Sequence, residues 1–232
     1  MNRIGIIGAM EVEVETLKEH MKDVKLVKKA SMEFCCGKLN GKEAVVVRSG
    51  IGKVNAAVCT QILADDFQVE AVINTGVAGS LKAEINIGDI VVSTDALHHD
   101  MDARELGYRR GQIPQMDVFS FEADARLRRT AAEACRRVNP EIQVFEGRVV
   151  SGDQFVAAKS VKEDISAEFA GCCTEMEGAA IAQAAWLNGI PFVILRAISD
   201  KADDSASMDY PTFEREAAQH CVRLVEEMLK SL

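Results

Sequence analysis

The sequence predicts an α/β layer architecture built on one mixed sheet, and three observations carry that expectation. Short runs rich in Ile and Val alternate with longer amphipathic runs almost from end to end, the rhythm of layered α/β proteins. Asn40-Gly41 separates two strand-like runs, residues 32–39 and 43–48, a hairpin signal that requires at least one antiparallel pair. No internal repeat, low-complexity tract or Pro/Ser-rich linker marks a boundary, so residues 1–232 are read as a single domain.

The strands are expected at residues 3–7, 44–47, 72–75, 90–93, 148–151 and 192–198, brief and apolar enough to be covered on both faces. Helices are expected at 13–21, 54–64, 123–138, 178–188 and 213–229, where apolar residues recur at three- and four-residue spacing and would pack on the sheet. The polar stretch 98–119 is long for a connection in a compact domain, which makes it a candidate for a functional or intersubunit role.

A composition of 48% hydrophobic and 27% charged residues is that of an ordinary globular chain. The formal charge of -9, with no basic cluster to offset it, argues against nucleic acid and membrane surfaces as partners. The N-terminus runs directly into an apolar strand and meets Glu11 before a signal or spanning length is reached, so a cytoplasmic location is expected. The seven cysteines are odd in number, include the adjacent pairs Cys35-Cys36 and Cys172-Cys173, and show no C-x-x-C spacing; free thiols are expected. His98-His99-Asp100 has no cysteine at ligand spacing, and no metal is expected.

Several segments could carry chemistry. After the first strand, Gly8-Ala9-Met10 leads to Glu11, Glu13 and Glu15 rather than to the glycines of a dinucleotide fingerprint. A carboxylate there repels phosphate and can take a proton from water, although glutamates also simply favour the start of a helix. Gly50-Ile51-Gly52-Lys53-Val54 lacks the spacing of a phosphate loop and is explained by a tight turn into a helix. Asn74 to Ser80 places small residues after a strand, where amides can approach a ligand or merely turn the chain. Ser151-Gly152-Asp153-Gln154-Phe155 adds an aromatic that can stack on a base or serve as core.

Glu175-Met176-Glu177 puts two carboxylates where a strand gives way to an Ala-rich helix. Buried charge needs partners, and a carboxylate can accept both hydroxyls of a ribose diol; a helix N-terminal glutamate is the plainer alternative. Arg196 to Asp200 ends an apolar strand with a carboxyl group that can donate to a leaving group when protonated, with Arg196 as a nearby countercharge, or that can simply start a loop.

Together these segments resemble the nucleoside phosphorylase/hydrolase superfamily, and within it the 5′-methylthioadenosine/S-adenosylhomocysteine nucleosidases, over nearly the whole chain. The resemblance implies a three-layer α/β/α fold, a homodimer, no cofactor, and hydrolysis of an adenine nucleoside at its N-ribosyl bond. By position it implies Asp200 as general acid to the purine, held by Ser199, and Glu13 as the residue that activates water. Glu177 matches the ribose-binding carboxylate, with Arg196 and Glu175 as its polar support. Phe155 and the backbone of Val156 match the base pocket, Met176 the floor under the ribose, and Ile51 and Tyr210 the region of the 5′-thio group; Val77, Ala78 and Gly79 line the same pocket.

Val77 stands where some members have a small hydroxyl residue, and Tyr210 where phenylalanine is common. Ala103 and Pro114 match positions that reach the neighbouring subunit's pocket. A phosphorylase of the same superfamily and a non-catalytic nucleoside sensor are the rival readings. The first conflicts with Glu13 beside a phosphate site, and the second with the presence of both Glu13 and Asp200. The preferred 5′ substituent, and cleavage of 5′-deoxyadenosine or a futalosine-type nucleoside, are left open.

Overall fold

The computed structural model describes residues 1–200 and 210–232, with residues 210–214 described as backbone only. In chain order the strands are β1 (Arg3–Gly8), β2 (Lys22–Lys29), β3 (Met32–Leu39), β4 (Lys42–Arg48), β5 (Ala71–Ser80), β6 (Ile90–His98), β7 (Phe121–Glu122), β8 (Val144–Ser151), β9 (Cys173–Glu175) and β10 (Phe192–Asp200). The helices are α1 (Glu15–Glu19), α2 (Lys53–Asp65), α3 (Ala125–Val138), α4 (Lys159–Phe169), α5 (Gly178–Leu187) and α6 (Tyr210–Ser231).

All strands belong to one mixed sheet, with helices on both faces. Alternation along each central strand sends side chains to two cores. Ile4, Ile6, Ala44, Val46, Ile73, Val193 and Leu195 pack with α1, α3 and α6, while Ile7, Val45, Val47, Val72 and Ile194 pack with α2 and α5. Burial on both faces explains why these strands read as continuous apolar runs. The Asn40-Gly41 hairpin joins β3 and β4 through two residues of positive φ, 49° and 83°, the requirement of a type I′ turn.

Helix α4 was not among the expected helices, and three further features depart from the sequence reading. The expected helix at 13–21 is a 3-10 turn, Glu11–Glu13, followed by the short α1, because the chain turns at Lys22 into β2. That strand carries four lysines and is exposed at every position, so it shows no burial pattern to read; its charge suits an unprotected sheet edge. The sheet also closes on itself: β5 pairs with β10 and β9, while β6 and β8 complete a ring of strands in the order β5, β10, β6, β8, β9.

Closure has a local cost in space that glycine meets. Gly79 pairs with Asp200 on one side and Thr174 on the other, and a Cβ there would lie 2.9 Å from an Asp200 carboxylate oxygen. Only a residue without a side chain lets the three strands meet at this point. The ring therefore brings the ends of β5, β9 and β10 together, and the site forms where they meet. All seven cysteines are free. No helix among the described residues is long and apolar enough to cross a membrane.

Candidate active site

A cavity opens where the carboxyl ends of β1, β5, β8, β9 and β10 converge. It is lined by Glu13, Val77, Ala78, Gly79, Phe155, Val156, Glu175, Met176, Glu177, Ser199 and Asp200, with Ile51 at its rim. The structure thus gathers residues up to 191 positions apart in sequence, Ala9 and Asp200 at the extremes, into one pocket. Ala9, Met10, Gln154 and Thr174 complete the lining and were not singled out from the sequence. Tyr210 opens α6, but its side chain lies outside the described residues. Ala103 and Pro114 lie in the 98–119 connection, away from the cavity lining described for their own chain.

Glu13 ends the 3-10 turn after β1 and is 4% exposed. Its Oε2 accepts from the backbone N–H groups of Ala9 and Met10 at 2.7 and 2.9 Å, and its Oε1 from Val77 N–H at 3.0 Å. A Cβ on Gly76 would come within 2.4 Å of Oε1, so the approach of β5 to this carboxylate depends on that glycine. Burial pushes the Glu13 carboxyl up; the charge of Arg196 and the three backbone N–H groups pull against it. Of about four acceptor positions on a carboxylate, three are filled by backbone, which fixes its orientation and leaves room for one more donor.

Arg196 lies behind the cavity, wholly buried in β10. Its Nη2 donates to Glu175 Oε2 at 2.5 Å and to Asn74 Oδ1 at 2.6 Å, and its Nη1 to Leu195 O at 3.1 Å. Glu175 also accepts from Glu177 N–H at 3.1 Å, from Gly178 N–H at 2.8 Å and from the Ser151 hydroxyl. Burial alone would raise the Glu175 carboxyl, but Arg196, Ser151 and the backbone donor Gly178 together hold it below the ordinary carboxylate value. Burial would likewise favour a neutral Arg196, yet the surrounding glutamates, Glu175 foremost, hold the guanidinium firmly charged.

Glu177 is the third buried carboxylate. Burial, and then repulsion from Glu175, push it up to about 7, against a hydrogen bond of 2.7 Å from Gly52 N–H to its Oε1. Gly50 and Gly52 have φ of 86° and 97°, so the tight turn expected there is present. The turn also supplies a donor to the site, which the sequence did not reveal.

Asp200 is the last residue of β10 rather than the start of a loop. The Ser199 hydroxyl lies 3.4 Å from Asp200 Oδ1 and 3.4 Å from Ala78 O. The cation set against Asp200 is Lys162 of α4, whose Nζ donates to Oδ2 at 2.8 Å; Arg196, the expected countercharge, is committed to Glu175 and Asn74. Lys162 occupies the inward face of α4 with Ile165 and Phe169, a three- and four-residue spacing that was the available signal.

The outer rim is tied by charge. Lys53 Nζ donates to both carboxylate oxygens of Asp100 at 2.7 and 2.8 Å, Asp153 N–H donates to Asp100 at 3.0 Å, and Lys53 N–H donates to Asp153 at 2.8 Å. These bonds join the segments that carry Ile51 and Phe155 to the end of β6. Among the described residues, no group of three or more His, Cys, Asp or Glu is arranged to hold a metal ion.

The whole chain, and not only the pocket, can be compared with known proteins. The model of the phosphorylase superfamily matches residues 3–230. A 5′-methylthioadenosine/S-adenosylhomocysteine nucleosidase from Chromohalobacter salexigens is 42% identical over 233 residues, covering 100% of this chain and 98% of the relative. The chain is an enzyme of the 5′-methylthioadenosine/S-adenosylhomocysteine nucleosidase family, within the phosphorylase superfamily. The crystal structure of the Neisseria meningitidis nucleosidase in complex with methylthio-immucillin-A superposes with a TM-score of 0.95 at 41% identity, covering 100% of both chains. The Colwellia psychrerythraea nucleosidase in complex with adenine gives 0.94 at 39% identity, covering 99% of this chain and 95% of that one. The α/β fold with a mixed central sheet and flanking helices is therefore that of the nucleosidase family.

Proposed function

We propose that the chain hydrolyses the N-ribosyl bond of 5′-methylthioadenosine and S-adenosylhomocysteine, releasing adenine and the thioribose, with 5′-deoxyadenosine as a further candidate substrate. The observation that carries the choice of water over phosphate is the cavity lining: it contains Glu13, Glu175, Glu177 and Asp200, and no Lys, Arg or His among the described residues. A phosphate dianion would meet carboxylates without a free cation, whereas water needs only an acceptor.

In this reading Asp200, protonated, donates to a purine ring nitrogen as the bond to the sugar breaks, and Ser199 helps to hold it. Glu13, aimed by three backbone N–H groups, uses its remaining acceptor position for the attacking water. Glu177 presents its second oxygen to the ribose hydroxyls while Gly52 holds the first. Glu175 and Arg196 fix Glu177 from behind through the backbone at 177 and 178. Phe155 and Val156 face the base, Met176 lies under the ribose, and Val77, Ala78 and Gly79 close the wall beside it. Ile51 and Tyr210 are assigned to the 5′ substituent. The transition state develops positive charge on the sugar and negative charge on the purine, so both carboxyl roles favour it over the ground state.

The homodimer belongs to the same proposal. Val54, Val58, Trp186 and Leu187 on the packed pair α2 and α5 are exposed, as are Ile51 and Phe155 at the cavity rim, an apolar strip suited to a second copy. Ala103 and Pro114 are assigned to the partner's pocket.

The test is adenine release from 5′-methylthioadenosine in phosphate-free buffer and again with phosphate, with the sugar identified. Free methylthioribose at a phosphate-independent rate is expected; a sugar 1-phosphate formed only with phosphate would make the chain a phosphorylase, and no adenine in either buffer would leave a binding protein. Asp200→Asn and Glu13→Gln are each expected to lose about two to four orders of magnitude in kcat while still binding nucleoside. Near-normal turnover in either variant would remove that residue from the mechanism.

A further inference from the structure

Lys162 is the one basic residue that α4 buries on its inward face, 3% exposed and flanked there by Ile165 and Phe169. Placing a long flexible cation in an apolar layer costs free energy unless its charge is met. Its ammonium is met by Oδ2 of Asp200 at 2.8 Å, with side-chain exposures of 4% for the lysine and 23% for the aspartate. The two oxygens of Asp200 are thereby distinguished: Oδ2 faces the ammonium, and Oδ1 is the one near the Ser199 hydroxyl.

We infer that Lys162 is a positioning residue for the reaction: it holds Oδ2 of Asp200 so that the proton is presented from Oδ1, and it receives the negative charge that Asp200 acquires when that proton leaves. The inference rests on the reading of Asp200 as general acid. As the carbon–nitrogen bond breaks, its electron pair passes to the purine and the proton on Oδ1 moves to a purine ring nitrogen. Asp200 is left as a carboxylate. Water gives its hydroxyl to the sugar carbon and its remaining proton to Glu13, and that proton then returns through solvent to Asp200. The charge created on Asp200 appears 2.8 Å from a cation already fixed in a buried position, so no reorganisation is needed at the moment of transfer. Before transfer the same ammonium donates to the carbonyl-like oxygen of the neutral acid, a weaker interaction than the one to a carboxylate. Within the complex in which Asp200 is protonated, the difference favours the transition state over the ground state.

The experiment compares Lys162→Met, Lys162→Arg, Asp200→Asn and the double variant Lys162→Met/Asp200→Asn, with adenine binding by calorimetry as the check that the pocket is formed. Lys162→Met is expected to bind adenine normally, to lose about 10²-fold in kcat, and to change KM by less than about threefold. Lys162→Arg, which keeps the charge, should recover at least a tenth of the wild-type kcat. The double variant should be no slower than Asp200→Asn alone, since the inferred contribution of Lys162 to the reaction passes through that carboxyl. Should Lys162→Met fail to fold, Lys162→Gln, which keeps a donor without the charge, is read in the same way.

A folded, adenine-binding Lys162→Met or Lys162→Gln with wild-type kcat overturns the inference, as does a double variant slower than Asp200→Asn by the full factor of the lysine substitution. An inactive Asp200→Asn beside a normal Lys162→Met removes the role of Lys162 alone. Normal turnover in Asp200→Asn removes the acid assignment itself, and this inference with it.

Discussion

On the inner wall of the cavity, built from the ends of β1, β5, β9 and β10, Glu13, Glu175 and Glu177 are buried with Arg196 behind them, and these four groups are held by backbone donors, by each other or by both. On the outer rim, Ile51 and Phe155 stand 54% and 66% exposed, on segments joined through Lys53, Asp100 and Asp153. The inner wall fixes charge in place before any ligand arrives, and its cost is carried by hydrogen bonds that the fold supplies. The rim offers apolar surface whose burial waits for a ligand or a second copy. Catalysis of a charge-developing reaction needs the first kind of wall, and accommodation of different 5′ substituents needs the second.

The sharpest way to break this contrast is to remove the support behind the inner wall. Arg196→Met leaves Glu175 buried without its cation, and loss of one partner of a buried pair costs about 3–5 kcal/mol. For a domain of this size each kcal/mol is worth about 2–4 °C in Tm. A fall of about 6–20 °C by calorimetry is expected, together with loss of activity, because the backbone at 177 and 178 hangs on Glu175. A variant as stable as the parent would show that the inner wall is not held by this pair.

The next largest effect concerns Glu177, whose carboxyl is pushed up to about 7 by burial and by Glu175. A carboxyl raised in the folded state binds a proton there that the unfolded chain has already released. Its contribution to stability is therefore full below the unfolded value of about 4.5 and is lost as pH rises through about 7. Within that window the protein without substrate should lose up to about 1.4 kcal/mol per pH unit from this group. Glu177→Gln, which cannot titrate, should show a flatter dependence of Tm on pH between about 5 and 7.5 than the parent. Parallel curves for the two proteins would mean that Glu177 is ionised in the folded state throughout.

The same contrast explains what the sequence could reveal. Glu13, Glu175, Glu177 and Asp200 sit beside short apolar strands, where a carboxylate is conspicuous, but each could also be read as the start of a helix or loop, and the family resemblance was what singled them out together. The two-faced burial of β1, β4, β5 and β10 was legible in their continuous apolar runs. Closure of the sheet was not, because it depends on Gly79 pairing at once with Thr174 and Asp200, residues about a hundred positions away or more. Nothing local in Gly76 or Gly79 says which carboxylate will press against it. Lys162 escaped notice because no helix was expected over α4, and although Ile165 and Phe169 share its inward face at helical spacing, nothing local says that a lysine there meets an aspartate. Gly52 was read correctly as a turn residue, but its donated hydrogen bond to Glu177 is a product of tertiary approach.

The smallest expected effect lies on the rim. Phe155 is 66% exposed in the chain without ligand, so its truncation removes little from the folded protein and Phe155→Ala should leave Tm nearly unchanged. Its proposed work is done on the purine, where an aromatic contact is worth about 0.5–1.5 kcal/mol. That corresponds to a rise of about two- to tenfold in KM for 5′-methylthioadenosine. If the ring contacts the base both before and during bond cleavage, as proposed, the loss is uniform and kcat should stay within about threefold of the parent. A fall in kcat of the size expected for Glu13→Gln, with KM unmoved, would place Phe155 among the groups that act only in the transition state. The proposed division between a wall that does the chemistry and a rim that holds the substrate would then fail at this residue.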